Sequence, residues 1–285
     1  MIGIAGTGRM GTAFVQRLIE RGHTVLVWNR TPERAQAALA RGAQPAASLA
    51  ELAQADTIML SLTDASAVQG VIQGLAESGI AKRLVIDLST LLPEDSRAAA
   101  ELVERAGADW VDCPVGGTVA PALKGQLLGM AGGSPEAFAR AKPLLEDLCR
   151  RVEHLGPAGT GAQMKLALNL PLALYWHTLG EAMAVLKGSG IASDQAIGLL
   201  ADSSAGPMVL KNRAELVVAT LGGADQPGTF DIAGLRKDLD LALRCLKREG
   251  AAAPLSETAL AAYDRALEEG LGGFDGASLA RFLSA

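Results

Sequence analysis

The sequence predicts an α/β fold in two parts: an N-terminal doubly wound parallel sheet, followed by an all-α C-terminal domain that is joined to it by a long helix. Three observations lead to this prediction. Short apolar runs alternate with helix-like stretches through the first half. A glycine-rich turn follows the first of these runs, and beyond residue 157 the periodicity is helical throughout. We therefore expect one domain over residues 1–156 and a second over residues 157–285.

The first element is a buried strand signal, Met1–Ala5, which the turn GTGRMG follows at once. A helix pattern then runs to about Arg21, and TVLVW is the second strand. Glycines at the G-x-G-x-x-G spacing in this setting are typical of Rossmann dinucleotide-binding domains. They permit a tight turn, the approach of a pyrophosphate and close packing of a helix whose N-terminus faces the anion. The predicted cofactor contacts here are Gly6, Thr7, Gly8, Arg9, Met10 and Gly11.

The end of the second strand indicates which cofactor binds. An NAD site usually places a carboxylate there, which hydrogen-bonds the ribose 2′-hydroxyl. This strand ends instead with Asn29, Arg30 and Thr31. No carboxylate stands there to repel a 2′-phosphate, and a guanidinium pairs well with phosphate. These residues predict NADP(H) rather than NAD(H).

Three further strand signals complete the predicted sheet: TIMLSL (57–62), RLVIDLST (83–90) and DWVDCPV (109–115). Ligands of doubly wound sheets bind beyond the C-terminal ends of the strands. The residues that follow these runs are therefore candidates for the site, although each of them also suits an ordinary turn. They are Leu62, Thr63, Ser89, Thr90, Gly116, Gly117 and Thr118.

The second half begins at a break around Gly156, and its periodicity predicts helices over 161–188, 193–203, 207–218, 232–249, 254–269 and 276–283. Lys165 and Asn169 are four residues apart, so on a helix they share one face. Pro171 lacks the N–H that would bond the Ala167 carbonyl, so we expect a kink or local loosening there.

The composition excludes several classes of function. With 49% hydrophobic residues the chain can bury a sizeable core, and a net charge of −5 without a basic stripe argues against nucleic acid. Three scattered cysteines and three scattered histidines predict neither a disulfide framework nor a metal site. Polar residues interrupt the longest apolar stretch, 168–186, so we expect no membrane span. We predict a cytoplasmic protein.

Four motifs, in order, carry a resemblance that covers essentially the whole chain. They are GTGRMG, DCPVGGTVAPALKGQL (112–127), GTGAQMKLALN (159–169) and FDIAGLRKDLDLA (230–242). The chain resembles the β-hydroxyacid dehydrogenases, which include 3-hydroxyisobutyrate dehydrogenase and tartronate semialdehyde reductase and are related to 6-phosphogluconate dehydrogenase. The resemblance implies hydride transfer between NADP(H) and a 3-hydroxyacid, a semialdehyde or a glyoxylate-type aldehyde. It also implies a homodimer or homotetramer.

The resemblance implies a role for several side chains. Lys165 would be the catalytic lysine and Asn169 the partner that orients the substrate. A positioned amine suits this chemistry, because the carbinol proton must leave as the hydride does. Lys237 would close over the cofactor, and Thr90 would lie beside the nicotinamide or the substrate. The loop that would hold the substrate carboxylate is Gly116, Gly117 and Thr118.

The chain departs from the family at two positions. Relatives usually carry serine where this chain has Gly116, and they often carry asparagine where it has Leu168. Trp176 lies near the same helical face as Lys165 and is a further candidate for the substrate site, although a tryptophan in the core is the commoner arrangement. These changes predict a less polar or bulkier substrate than a small hydroxyacid.

Two alternatives stay open. Imine reductases and reductive aminases look like relatives on the same fold, and Gly116, Leu168 and the VWNRTPE strand end are compatible with them, whereas Lys165 is not typical of them. A nucleotide-binding module without catalysis is the second alternative, and the retained lysine argues against it.

Overall fold

The computed structural model describes residues 1–284, which divide into two compact units. The first unit is Met1–Leu166 and the second begins at Ala167, so the division lies ten residues after the predicted boundary at 156. The difference has a physical cause. Backbone N–H groups of Gly159 and Ala162 donate to the carboxylate of Asp112, which ties the start of the linking helix to the sheet.

Within the described residues, one sheet of nine strands forms the first unit, in the order β3-β2-β1-β4-β5-β6-β8-β7, with β9 paired to β8. Pairing is parallel from β3 to β6, β8 runs antiparallel to β6 and β7, and β9 runs parallel to β8. The strands are β1 Ile2–Ala5, β2 Val25–Trp28, β3 Gln44–Pro45, β4 Thr57–Leu60, β5 Leu84–Asp87, β6 Asp109–Asp112, β7 Val115–Gly116, β8 Leu127–Gly133 and β9 Cys149–Gly156.

Helices cover both faces of this sheet. Alternate residues of β1 point to different cores: Ile4 packs with Phe14 and Leu145, and Ala5 packs with the cluster that contains Ile72 and Trp110. The helices of the first unit are α1 Arg9–Glu20, α2 Gln36–Leu39, α3 Leu49–Leu52, α4 Ala65–Ser78, α5 Pro93–Arg105, α6 Val119–Leu123 and α7 Pro135–Leu148, with a 3-10 turn at Pro32–Ala35. The predicted doubly wound Rossmann sheet is confirmed.

The remaining helices also agree with the sequence analysis. They are α8 Thr160–Val185, α9 Ser193–Asp202, α10 Met208–Lys211, α11 Ala214–Leu221, α12 Ile232–Arg248, α13 Pro254–Glu268 and α14 Gly276–Ser284, with a 3-10 turn at Leu271–Gly273. The helix predicted over 207–218 is two helices, because Arg213 leaves the helical conformation. Its side chain pairs with the buried Asp275.

The linking helix α8 continues through Pro171. Pro171 is exposed, as is Ala167, whose carbonyl loses its N–H partner, and the predicted kink stays a prediction. No helix among residues 1–284 is both long and apolar enough to cross a bilayer.

Candidate active site

The glycine turn connects β1 to α1, and its three glycines meet three different requirements. Gly6 has φ +96°, and a Cβ on it would lie 2.2 Å from the carbonyl oxygen of Ser61. A Cβ on Gly11 would lie 2.1 Å from the carbonyl oxygen of Gly6. Gly8 faces open space in the direction of a Cβ. The structure therefore has the tight turn and close packing that the spacing predicts, with room for a ligand at Gly8.

The N-terminus of α1 suits an anion. Gly8 precedes the helix in an extended conformation and supplies no side-chain cap, and the first turn contains no acidic residue. N–H groups at such an end have no partner inside the helix and carry partial positive charge. The exposed Arg9 adds a formal positive charge, whereas Met10 packs partly against the core. A dinucleotide pyrophosphate fits this turn.

Thr7 joins the glycine turn to the segment after β2. Its hydroxyl donates to the carbonyl oxygen of Arg34 over 2.9 Å, and the hydroxyl of Thr12 donates to the carbonyl oxygen of Thr7 over 3.1 Å. Because Thr7 is buried and its hydroxyl is bonded within the protein, only its backbone could contact a ligand. Arg34, which no sequence motif singled out, is an exposed cation whose backbone adjoins the turn.

The three residues predicted to select the cofactor lie at the C-terminal end of β2. Trp28, the last residue of that strand, accepts a backbone hydrogen bond from Gly6, which places the strand end beside the glycine turn. The side-chain amide of Asn29 donates to the carbonyl oxygen of Thr31 over 2.7 Å and shapes the turn. Arg30 is exposed. An exposed arginine therefore follows the end of β2, the strand end near which dinucleotide-binding sheets hold the ribose.

The ends of β4 and β5 are joined by a buried serine. The backbone N–H of Leu62 donates to the hydroxyl oxygen of Ser89 over 3.0 Å, and the backbone N–H of Ser89 donates to the buried carboxylate of Asp87 over 2.9 Å. Since β1, β4 and β5 are adjacent, this bond fixes the candidates Leu62, Thr63 and Thr90 at the same edge as the glycine turn. Convergence on one edge was the reason for proposing them together.

The predicted carboxylate-binding loop follows β6 and β7. Gly116 is buried at the end of β7, and Gly117 has φ +123°, a conformation that favours glycine. Thr118 precedes α6 with an extended backbone, and its hydroxyl does not cap that helix. Because the hydroxyl does not cap α6, it is available to a ligand.

Lys165 is buried on α8, with 8% of its surface exposed, and its Nζ donates to the carbonyl oxygen of Val115 over 2.8 Å. Val115 immediately precedes Gly116, so the lysine amine is held at the start of the predicted substrate loop. Lysines are rarely buried unless they are paired. The amine of Lys165 is thus buried and hydrogen-bonded rather than in solvent, which is compatible with the role that the resemblance implies for it.

Asp112, at the end of β6, is a residue that the sequence analysis missed. It is buried, and its two carboxylate oxygens accept backbone N–H bonds from Gly159 over 2.7 Å and from Ala162 over 2.9 Å. Burial raises the pKa of this carboxyl, and the two N–H donors oppose the rise. A signal was available in the motif DCPVGG, where an aspartate ends a strand that is otherwise apolar.

A second polar group lies within the helical unit. The side-chain amide of Asn169 donates to Oδ2 of Asp238 over 2.6 Å, and Nζ of Lys237 lies 3.2 Å from Oδ1 of the same carboxylate. Asn169 and Asp238 are both buried, whereas Lys237 is 40% exposed. The resemblance implies roles for the asparagine and the lysine but none for Asp238, the aspartate that contacts both of them.

Trp176 packs in the core of the helical unit, where it is 2% exposed. A Cβ on Gly276 would lie 2.4 Å from its indole nitrogen, so the ring is pressed against the start of α14. This is the core arrangement that the sequence analysis named as the commoner one. A substrate contact by Trp176 stays a prediction.

The cysteines near the loop do not suit nucleophilic catalysis. Burial raises the pKa of the Cys149 thiol to about 12, and burial, with Cys149 and Asp112 nearby, raises the pKa of Cys113 well above its ordinary value. Both thiols therefore stay protonated near neutral pH. In the described part of the chain, no group of three histidine, cysteine or acidic residues is placed to hold a metal ion.

Two family models together match nearly the whole chain. Residues 1–156 match the NAD binding domain of 6-phosphogluconate dehydrogenase, and residues 159–283 match the NAD-binding family of NADP-dependent 3-hydroxyisobutyrate dehydrogenase. Among curated proteins, the chain is 31% identical to 3-hydroxyisobutyrate dehydrogenase of Pseudomonas aeruginosa over 90% of this chain and 89% of that protein. It is 28% identical to glyoxylate/succinic semialdehyde reductase 1 of Arabidopsis thaliana, over 96% of this chain and 95% of that protein.

The fold of this chain is also similar to that of several solved structures. A 3-hydroxyisobutyrate dehydrogenase of Mycobacterium tuberculosis, solved with L-serine, has a TM-score of 0.89 at 27% identity and covers 100% of this chain and 99% of its own. Psf3 in complex with NADP⁺ and 2-OPP has a TM-score of 0.88 at 26% identity, with 100% of both chains covered. A reductive aminase of Aspergillus terreus shares the fold at a TM-score of 0.65 and 23% identity, over 99% of this chain and 98% of that chain.

Proposed function

Because the chain belongs to the β-hydroxyacid dehydrogenase family, whose members are nicotinamide-dependent oxidoreductases, we propose that it transfers hydride between NADP(H) and a 3-hydroxyacid or carboxylated aldehyde, with Lys165 as general acid and base. The observation that carries the proposal is the buried amine of Lys165 at the start of the Gly116–Thr118 loop. The nicotinamide, when bound, supplies or accepts the hydride. The chain's own residues transfer the proton and bind the substrate.

Lys165 handles the proton. In the reductive direction its ammonium donates a proton to the substrate oxygen, and in the oxidative direction its amine accepts the proton of the hydroxyl. While charged, it also stabilises the negative charge that develops on that oxygen. The hydrogen bond to the Val115 carbonyl fixes Nζ in one position, which reduces the ordering needed before transfer.

The loop after β7 binds the substrate carboxylate in this proposal. Gly116 contributes no side chain, so binding relies on backbone N–H groups and on the Thr118 hydroxyl, which caps no helix. One hydroxyl fewer at Gly116 leaves a less polar pocket. The proposed substrates are therefore carboxylated aldehydes or hydroxyacids with more carbon than the smallest members.

The proposed preference for NADP(H) rests on Arg30. Replacing Arg30 by alanine is expected to lower the ratio of kcat/KM with NADPH to kcat/KM with NADH by about 10- to 100-fold, since a charge-assisted hydrogen bond contributes about 1.5–3 kcal/mol. Arg105→Ala, which removes an exposed arginine from the end of α5, is the matched control. An unchanged ratio in the Arg30 variant would refute the assignment.

Substrate class is tested with one panel under NADPH. Three of the compounds carry a carboxylate: glyoxylate, succinic semialdehyde and methylmalonate semialdehyde. Butyraldehyde has the same number of carbons as succinic semialdehyde but no carboxylate. The fifth compound, 1-pyrroline, is a cyclic imine. We expect succinic or methylmalonate semialdehyde to react and butyraldehyde to react far more slowly, because only the former engage the Gly116–Thr118 loop.

Three outcomes would overturn the proposal or a part of it. Turnover of 1-pyrroline alone would favour an imine reductase, the alternative that Gly116 and Leu168 keep open. NADPH binding without turnover of any compound would favour a nucleotide-binding module. Equal turnover of butyraldehyde and succinic semialdehyde would leave an aldehyde reductase and remove the assigned role of the loop.

A further inference from the structure

Asp112 is a buried carboxylate that the proposed proton transfer does not use. It ends β6, and both of its oxygens are engaged by the backbone at the start of α8. Gly159 lies just before that helix, and Ala162 lies in its first turn. An aspartate from a neighbouring strand thus satisfies N–H groups that have no partner within the helix.

The surrounding backbone leaves space for this carboxylate. A Cβ on Gly132 of β8 would lie 2.8 Å from Oδ1 of Asp112, and a Cβ on Gly161 would lie 2.8 Å from Oδ2. Glycine on both sides lets the strand and the helix approach the carboxylate. Such an arrangement fixes the height and direction of the first turn of α8 relative to the sheet.

The same short segment also holds the lysine amine. Asp112 lies three residues before Val115, whose carbonyl oxygen accepts the hydrogen bond from Nζ of Lys165. Lys165 itself lies three residues after Ala162 on α8. The backbone that carries the lysine and the amine at the end of its side chain are therefore both attached to residues 112–115.

We propose that Asp112 is a positioning residue for Lys165: by anchoring the first turn of α8 to the end of β6, it sets where the amine meets the substrate oxygen. This inference rests on the proposed role of Lys165 in proton transfer. A carboxylate is suited to the task, because hydrogen bonds from N–H groups to a charged acceptor are short and strong. An error of about 1 Å in placing a catalytic group lowers rates by about 100-fold.

The test compares Asp112→Ala, which removes both acceptors, with Asp112→Asn, which retains one oxygen. Ser134→Ala is the matched control, because the Ser134 hydroxyl accepts the N–H of Ala137 at the start of α7 and does not contact Lys165. Each protein is assayed for kcat and for KM with substrate and NADPH. Hydrogen exchange over residues 157–166 and the rate at which acetic anhydride acetylates Lys165, read by mass spectrometry, are measured alongside.

We expect Asp112→Ala to lower kcat about 10- to 100-fold while the KM for NADPH stays near the wild-type value. The kcat of Asp112→Asn should lie between those of wild type and Asp112→Ala, since one acceptor oxygen remains. In both variants, exchange over 157–166 and acetylation of Lys165 should be faster than in wild type. Ser134→Ala should show neither change, because it loosens a different helix.

Acetylation and exchange do not depend on turnover, so they separate this inference from the proposed function. If the wild type turns over none of the panel substrates, faster acetylation in the Asp112 variants still shows that Asp112 holds Lys165. Faster exchange over 157–166 with wild-type kcat and wild-type acetylation would overturn the inference and leave Asp112 as a helix cap only. If Asp112→Ala does not fold, Asp112→Asn decides by the same readouts.

Discussion

Replacing Lys165 by alanine is expected to lower kcat for semialdehyde reduction by about 10²- to 10⁴-fold, the range contributed by a general acid. The dissociation constant for NADPH should change little, because the amine donates to the Val115 carbonyl, beside the predicted substrate loop. The measurement is steady-state kinetics on the fastest substrate of the panel, with NADPH binding followed by fluorescence.

Two further variants make the result specific. Lys165→Arg keeps a positive charge but cannot give up a proton near neutral pH, so its kcat should also fall steeply. Lys142→Ala removes an exposed lysine of α7 and should leave kcat unchanged. Near wild-type kcat in Lys165→Arg would show that charge alone is required and would contradict proton transfer by this residue.

A methyl group on Gly11 is expected to disrupt the cofactor site and the fold together. The added Cβ would meet the Gly6 carbonyl oxygen at 2.1 Å, so α1 must move away from the turn. Forced displacements of this kind destabilise proteins by about 1–3 kcal/mol. We expect Gly11→Ala to lower the melting temperature and to abolish measurable NADPH binding.

Gly8→Ala provides the contrast within the same turn. Its Cβ would enter open space, so the melting temperature of the free protein should stay close to that of wild type. NADPH binding should nevertheless weaken, because the methyl group occupies the side from which the pyrophosphate is proposed to approach. Calorimetric unfolding and NADPH titration of both variants check the pair. Unweakened NADPH binding in Gly8→Ala would mean that the pyrophosphate lies elsewhere.

Five of the parallel strands, β1, β2, β4, β5 and β6, and the helices of the second unit could be predicted because each is a local pattern, whereas the two-residue strand β3 was not predicted. Short apolar runs form the centre of the sheet, and periodic apolar residues form the helices. The end of the sheet could not be predicted in this way. β8 reads LLGMAGG and β9 reads CRRVEHLG, so one is rich in glycine and the other in charge. Their pairing depends on partners far along the chain, which no window of sequence contains.

In the candidate site, too, the residues that could be predicted are those that belong to local patterns. The glycine turn and Lys165 belong to compact motifs, and their positions follow from a strand end and a helix face. Asp112 and Asp238 were missed because each acts through a residue distant in sequence, Asp112 through Ala162 and Asp238 through Asn169. In the sequence each of them resembles an ordinary acidic residue beside apolar neighbours. Only the fold shows that both are buried, that Asp112 is bonded to the start of the helix that carries Lys165, and that Asp238 is bonded to Asn169.

The bonds of Asp112 also determine how much of the chain the sheet needs in order to fold by itself. A fragment that stopped at Gly156, where the last strand ends, would contain the buried carboxylate without either N–H that satisfies it. An unpaired buried charge is strongly destabilising. A fragment that continued to Leu166 would contain both donors and the lysine itself. We therefore expect a fragment of residues 1–166 to be more stable than one of residues 1–156, because it keeps the first turns of a helix that the sequence pattern assigns to the neighbouring domain.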